Sequence, residues 1–246
     1  GLSVTVAAGG EPLPGIDFGP ADMMQLPPVR AADARFSALV DDSDRPVDEA
    51  WWDRRCRALL DLYQRSRPDV LLIELFPFGR RPFRRELLPL LELAASRPER
   101  PAVFCSLRDI LVDKGRPERA AETVATVRRF FDGVLVHGDP AVVRLEASFP
   151  GAAEIADLLI YTGYVVEQPL VHAESEKADA GEVLVSAGGG AVGGDLLRTS
   201  LAARPLTRLR DRPWRLVTGT NLPEAEVAAL KATAAPGVVV ERFRPD

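Results

Sequence analysis

Residues 182–200, EVLVSAGGGAVGGDLLRTS, carry three local instructions in order. Val183, Leu184 and Val185 are an aliphatic, mostly β-branched run suited to a buried strand. Gly188, Gly189, Gly190, Gly193 and Gly194 then break the run, and Asp195 to Ser200 opens an amphipathic helix. A strand that passes through glycine into a helix forms an anion cradle. Glycine lets the backbone approach a ligand closely, while unpaired N–H groups and the positive end of the helix dipole face it. The stretch therefore predicts an α/β fold and a phosphate-bearing ligand.

Gly188–Gly193 also satisfies G-x-G-x-x-G, which predicts a dinucleotide site only within a Rossmann unit. Such a unit places an Asp or Glu roughly 20 residues on, at the end of the next strand. That strand reads Trp214-Arg215-Leu216-Val217-Thr218-Gly219 and ends without an acid, so the NAD reading fails. The P-loop reading fails as well, because no Lys-Ser or Lys-Thr follows the glycines. Two readings stand: a diphosphate cradle, and a turn used only for tight strand–helix packing.

Helical and strand-like periods alternate along the rest of the chain. Leu2–Ala7 predicts a strand, and Gly9–Pro28 a Pro/Gly-rich loop. Trp52, Cys56, Leu59, Leu60 and Tyr63 recur at helical spacing, with Asp53, Arg54 and Arg57 between them. The Trp51–Trp52 pair is expected in the core. Strand Val70–Ile73, a helix around Arg84–Ala95, strand Ala102–Ser106, a helix around Glu118–Phe131, strand Val134–His137, a short helix after Pro140 and strand Leu159–Thr162 follow. Short apolar runs separated by helical patterns predict parallel βαβ units. Periodicity vanishes over 166–181, which reads as an exposed linker. Strand Val183–Ser186, helix Asp195–Ala202, strand Arg215–Val217, a helix with Pro223 in its first turn and strand Val238–Val240 form a second series. The expected organisation is a domain over 1–165, a linker over 166–181 and a second domain over 182–246.

Composition narrows the function. The 246 residues carry 31 Lys and Arg against 36 Asp and Glu, a net charge of −5. No global basic field exists to attract nucleic acid or acidic membrane. Cys56 and Cys105 lie far apart without a C-x-x-C, which argues against zinc and fits a reduced, cytoplasmic compartment. No run reaches about 18 apolar residues, so no membrane-spanning helix is expected. Peripheral membrane contact stays open. No signal peptide is visible. The chain opens at Gly1 and enters a strand at once, which suggests that something upstream has been removed.

Several polar residues at strand ends are candidates for chemistry. Glu74 closes strand Val70–Ile73 and could act on an acceptor hydroxyl, or pair with Arg80. Arg80, Arg81, Arg84 and Arg85 could bind a phosphate-bearing acceptor, or form a solvated face. His137 sits in His-Gly-Asp-Pro, a turn that Gly-Asp-Pro explains unaided. As a catalytic base it has no partner visible in the sequence. Arg108-Asp109 close another strand and either line a cleft or pair with neighbouring charges. His172 lies in the linker.

The segments LFPFGRRPFRRELLPLLELA, FCSLRDILVDK, FDGVLVHGDP, YTGYV, VLVSAGGGAVGGDLL and VTGTNLP resemble predicted bacterial glycosyltransferases related to glycosyltransferase family 28. That family includes the enzyme that adds N-acetylglucosamine to the lipid-linked peptidoglycan precursor. The likeness runs through essentially the whole chain. It implies a GT-B fold: two Rossmann-like domains facing across a cleft, with the acceptor bound by the first, the nucleotide-sugar donor by the second, and no obligatory metal or other cofactor.

Carried over by residue, the resemblance assigns the donor diphosphate to Ser186, Gly188, Gly189, Gly190 and Ala191. Thr218, Gly219 and Phe243 match the nucleotide side, with main-chain groups reading the base near Phe243. Tyr161-Thr162-Gly163-Tyr164 match the crossover into the linker, and Arg108, Gly163 and Tyr164 are expected at the interdomain cleft. Relatives begin with a strand and a glycine–His loop, and continue past RFRPD into a Gln-Gly loop that holds the donor sugar. Neither is present here, so both domains are expected to be incomplete and this piece is not expected to turn over. The expected activity is hexosyl transfer, N-acetylglucosaminyl included, from a nucleoside-diphosphate sugar such as a UDP-sugar to a hydroxyl acceptor. The Gly188–Gly190 amides and the helix starting near Asp195 would stabilise the leaving diphosphate. A nucleotide-sugar 2-epimerase and a non-catalytic nucleotide-sugar-binding protein are the alternatives.

Overall fold

A computed structural model describes residues 1–10, 18–32, 38–108, 110–111, 116–165, 181–188 and 193–243. They form an α/β structure in two compact units, one running to Val165 and the other starting at Gly181. Residues 166–180 of the expected linker lie outside the described residues.

In the first unit, β1 (Thr5–Ala8) pairs in parallel with β2 (Asp22–Gln25), and β3 (Arg30–Ala31) pairs antiparallel with β4 (Leu39–Val40). The main body follows as α1 (Glu49–Ser66), β5 (Val70–Glu74), α2 (Arg84–Ser96), β6 (Ala102–Arg108), α3 (Pro117–Phe130), β7 (Gly133–His137) and β8 (Leu159–Tyr161). Strands β5, β6, β7 and β8 lie side by side in that order, all parallel. Parallel neighbours need a crossover, and crossovers are right-handed, so successive helices fall on one face of the sheet. That face carries Ile73, Val103, Cys105, Leu107, Val134 and Val136, all buried with Leu90, Leu91 and Ala94 of α2 and Val127 and Phe130 of α3. The opposite face carries Val70, Leu72 and Ile160, which remain about half exposed.

Local chemistry sets the helix limits. Asp48 caps α1 by accepting the Trp51 N–H at 2.7 Å, and Arg67 ends it in a left-handed conformation, φ 42°, with its N–H on the Tyr63 carbonyl. Pro117 opens α3, where its missing N–H costs nothing. Pro89 lies inside α2 and cannot donate to the Arg85 carbonyl. The Cys56 thiol of α1 faces that carbonyl instead, at 3.8 Å.

The second unit repeats the pattern with β9 (Val183–Ser186), α4 (Gly194–Ala203), β10 (Trp214–Val217), α5 (Glu224–Thr233) and β11 (Val238–Glu241). Its strands lie in the order β9, β10, β11, all parallel. Leu197 of α4, Val227 and Leu230 of α5, and Trp214 and Leu216 of β10 build its core. On the other face Leu184 and Val239 flank Arg215, whose guanidinium bridges Glu182 and Glu241 at 3.0 Å each. The parallel sheets are compatible with a Rossmann-like α/β fold. Neither sheet reverses its strand order among the described residues. No described helix is long and apolar enough to cross a membrane.

Most of the predicted elements are found, with corrections. The first strand is Thr5–Ala8 rather than Leu2–Ala7. The stretch Gly9–Pro28 contains a strand, Asp22–Gln25, whose four residues are all exposed and therefore show no apolar alternation. The short helix after Pro140 is two 3-10 segments, Leu145–Ala147 and Pro150–Leu158. Pro223 precedes α5 as its N-cap instead of sitting in the first turn. Trp51 and Trp52 are buried core residues, as expected.

One buried charge joins the small β1–β2 sheet to the helices. Arg55 of α1 donates to Glu86 of α2 at 2.8 Å, with both side chains 3% exposed. Its other nitrogen reaches the Gly9 carbonyl at 2.9 Å and the Pro27 carbonyl, and its plane lies over Trp51 and Phe83. Burial pushes the Glu86 carboxyl up, and Arg55 pulls it back only in part. Breaking a buried pair by removing one partner costs about 3–5 kcal/mol. Glu86→Leu is expected to lose that much in urea unfolding, while Arg55→Met with Glu86→Leu recovers only part of it, because the Gly9 and Pro27 carbonyls lose their donor; a single-variant loss near zero would contradict the role.

Asp132 makes a second, more exposed clamp. Its carboxylate accepts the Val103 N–H at 2.7 Å and Arg100 Nη1 at 2.8 Å. Burial alone would raise its pKa, but the Arg100 hydrogen bond, the Val103 N–H and the Arg100 charge together lower it. A depressed carboxyl contributes stability above the unfolded aspartate pKa of about 3.9, and that contribution is lost as pH falls through the folded value. Asp132→Asn should therefore lower the urea midpoint at neutral pH and have a smaller effect near pH 3. An equal effect at both pH values would contradict this assignment.

Candidate functional site

The carboxyl edge of the β5–β8 sheet gathers polar side chains on the face opposite the helical core. Glu74 and Ser106 are register partners on β5 and β6, and Arg108 and His137 are partners on β6 and β7. Thr162 follows β8 and extends the ladder through its N–H to the Val136 carbonyl at 3.0 Å. His137 lies between two hydroxyls: Nε2 is 2.8 Å from Ser106 Oγ, and Nδ1 is 2.8 Å from Thr162 Oγ1. The Arg108 side chain is exposed and has no carboxylate partner among the described residues. Gly163 follows with φ 74°, and Tyr164 is exposed.

The turn after β5 is held tightly. Leu75 and Arg80 have φ values of 65° and 57°, which side-chain-bearing residues rarely adopt. The Leu75 N–H bonds the Ser106 carbonyl at 2.8 Å, and the Gly79 N–H bonds the Leu75 carbonyl at 2.7 Å. Strain of this kind concentrates at functional sites. Of the two readings of Glu74, the pairing one is realised: its carboxylate lies 2.6 Å from Arg80 in an exposed pair. The other arginines are also engaged, Arg81 and Arg84 with Glu122 and Arg85 with Glu49. Cys105 is buried on the core face and its thiol is pushed up to about 12, chiefly by burial, so it is no nucleophile.

In the second unit, the carboxyl edge of β9 and β10 carries the glycines. Ser186 of β9 is the register partner of Val217 of β10, and the ladder continues one step, with the Ala187 N–H on the Val217 carbonyl at 3.0 Å. Ser186 Oγ accepts the Gly188 N–H at 3.3 Å. The described glycines of the loop differ in their surroundings. A Cβ on Gly193 (φ 119°) would lie 2.7 Å from the Ala187 Cβ, so this glycine serves close strand–helix packing. Gly188 (φ 72°) has open space where a side chain would stand. Gly189, Gly190 and Ala191 lie outside the described residues.

The neighbouring turn is anchored from below. The Thr218 side chain is fully buried, with its hydroxyl 3.2 Å from the Gly219 carbonyl, so only main chain can meet a ligand there. Gly219 has φ 78°. Arg242 Nη1 donates to the Thr220 and Leu222 carbonyls at 3.0 Å each and fixes the turn, while Phe243 beside it is exposed. Helices α4 and α5 both begin without a side-chain cap. In α5 the Glu226 N–H is taken up by the Pro223 carbonyl at 3.0 Å, so the cap there is main chain.

Sequence reasoning selected His137 but missed Ser106 and Arg242, and placed Thr162 only in the crossover match. Each acts through a partner 20 or more residues away, which no local motif reveals. No family model, curated protein or solved structure matches this chain.

Proposed function

We propose that this chain belongs to a GT-B glycosyltransferase that moves a hexosyl group from a nucleoside-diphosphate sugar to a hydroxyl acceptor. The second unit takes the donor and the first unit the acceptor. One observation carries the reading: β9 and β10 are parallel neighbours, and each passes through a left-handed glycine, Gly188 or Gly219, towards a helix without a side-chain cap. Two such openings side by side suit two linked anionic groups better than one, because each supplies main-chain donors and a helix dipole. Gly188, with Gly189, Gly190 and Ala191 after it, holds the diphosphate. The turn at Thr218 and Gly219 lines the nucleoside through its main chain, and the exposed Phe243 ring borders it.

The chemistry asked of this loop is electrostatic. As the anomeric C–O bond breaks, negative charge grows on the departing diphosphate. Donors already fixed around it stabilise that charge without reorganising. The resemblance of SAGGGAVGGDLL to family 28 transferases supports the same assignment.

Isothermal calorimetry with UDP, GDP, ADP and dTDP tests it. At least one nucleotide should bind the protein, and Gly188→Val should weaken that binding by at least about tenfold, or about 1.4 kcal/mol. The substitution places a branched side chain where the backbone meets the ligand, and the fold is checked by thermal melting. Failure of all four nucleotides to bind, or unchanged affinity in folded Gly188→Val, would remove the proposal.

A further inference from the structure

We propose that Ser106 is a base-activated serine that attacks esters, with His137 as its base and Thr162 as the positioning residue. This activity does not rest on the nucleotide-sugar reading.

The hydrogen-bond partners favour one arrangement of the protons. Thr162 Oγ1 lies 2.8 Å from His137 Nδ1, 2.9 Å from the Gly163 carbonyl and 3.3 Å from the Val136 carbonyl. The Val136 carbonyl already accepts the Gly138 and Thr162 N–H groups, which leaves the Gly163 carbonyl as the open acceptor for the Thr162 hydroxyl proton. With the proton there, Thr162 Oγ1 accepts from His137, and the ring proton of the neutral imidazole sits on Nδ1. Nε2 keeps its lone pair and accepts the Ser106 hydroxyl at 2.8 Å. Nucleophile, base and orienting group thus stand in the relation that activates a serine.

The surroundings suit access. Ser106 and His137 lie on the sheet face opposite the helical core, at the carboxyl edge where parallel sheets bind ligands. The strained turn at Leu75 is tied to the Ser106 carbonyl, which holds this part of β6. Arg108 lies two residues along the same strand face and beside His137, and its guanidinium has no carboxylate partner among the described residues. An ester carrying a negative charge is therefore the substrate class.

The step balances. Ser106 Oγ bonds the ester carbonyl carbon while its proton passes to His137 Nε2. The carbon–oxygen bond to the alcohol then breaks, and that oxygen takes the proton from Nε2. Water then attacks the acyl carbon while its proton passes to the same nitrogen; the bond from that carbon to Ser106 Oγ breaks, Oγ takes the proton back from Nε2, and the acid leaves.

A fluorophosphonate reagent tests the nucleophile directly, because its capture by serine needs only the activated hydroxyl. Peptide mapping by mass spectrometry should place the adduct on Ser106. His137→Gln should slow labelling by at least about 100-fold. Thr162→Val should slow it roughly tenfold, the worth of one hydrogen bond, and Thr162→Ser should restore it. p-Nitrophenyl succinate should acylate the protein faster than p-nitrophenyl acetate, and Arg108→Gln should remove the difference. No adduct on Ser106 in the folded protein, or labelling indifferent to His137→Gln, would overturn the proposal. Equal rates for the two esters would overturn the substrate class. Nucleotide calorimetry is read separately, so neither proposal can fail on behalf of the other.

Discussion

Right-handed crossover between parallel strands is the constraint on which both units depend. Each sheet is laid down in chain order, β5 to β8 and β9 to β11, so each intervening helix lands on the same side. One face of each sheet becomes core and the other stays comparatively open. The side-chain period of two then sorts every strand. Cys105 and Leu107 go to the core, whereas Ser106 and Arg108 go to the open face.

The same constraint decides where chemistry can sit. At the carboxyl edge a parallel strand hands over to a loop and the next helix begins, so strand-end side chains and helix N-termini meet there. In the first unit the edge presents Glu74, Ser106, Arg108, His137 and Thr162 as neighbours, although they span four strands. In the second it presents Ser186, Gly188, Thr218 and Gly219. The first edge is rich in side-chain chemistry, whereas at the second the Thr218 side chain is buried and two glycines, Gly188 and Gly219, expose main chain. Arg55 adds a separate requirement. Its buried guanidinium is neutralised by Glu86 and also satisfies carbonyls at Gly9 and Pro27, so the β1–β2 segment and the helices are joined through a single charge.

Much of the fold was legible because its signals are local. Val183–Ser186 reads as a strand from composition, and the α1 pattern from Trp52 to Tyr63 reads as a helix from its period. β2 was illegible because Asp22–Gln25 buries nothing. Arg55 was illegible for the opposite reason: a charge within an amphipathic helix reads as solvent-facing, and only acceptors remote in sequence, on α2 and at Gly9 and Pro27, make its burial tolerable. At the sites, the glycine loop could be found from sequence, yet the separate duties of Gly188 and Gly193 depend on how near Ala187 comes. His137 could be picked out as well, but its partners lie 31 and 25 residues away in sequence and meet it only through strand register.

The central claim is that the carboxyl edge of the second sheet binds a nucleoside diphosphate through main-chain amides. Amide chemical shifts of the 15N-labelled protein, followed while UDP, GDP, ADP and dTDP are titrated in turn, test it most directly. For at least one nucleotide the account predicts saturable shifts at Gly188, Gly189, Gly190 and Gly219, with the amides of β5 to β8 unmoved. Shifts confined to other residues, or none with any of the four nucleotides, would contradict it.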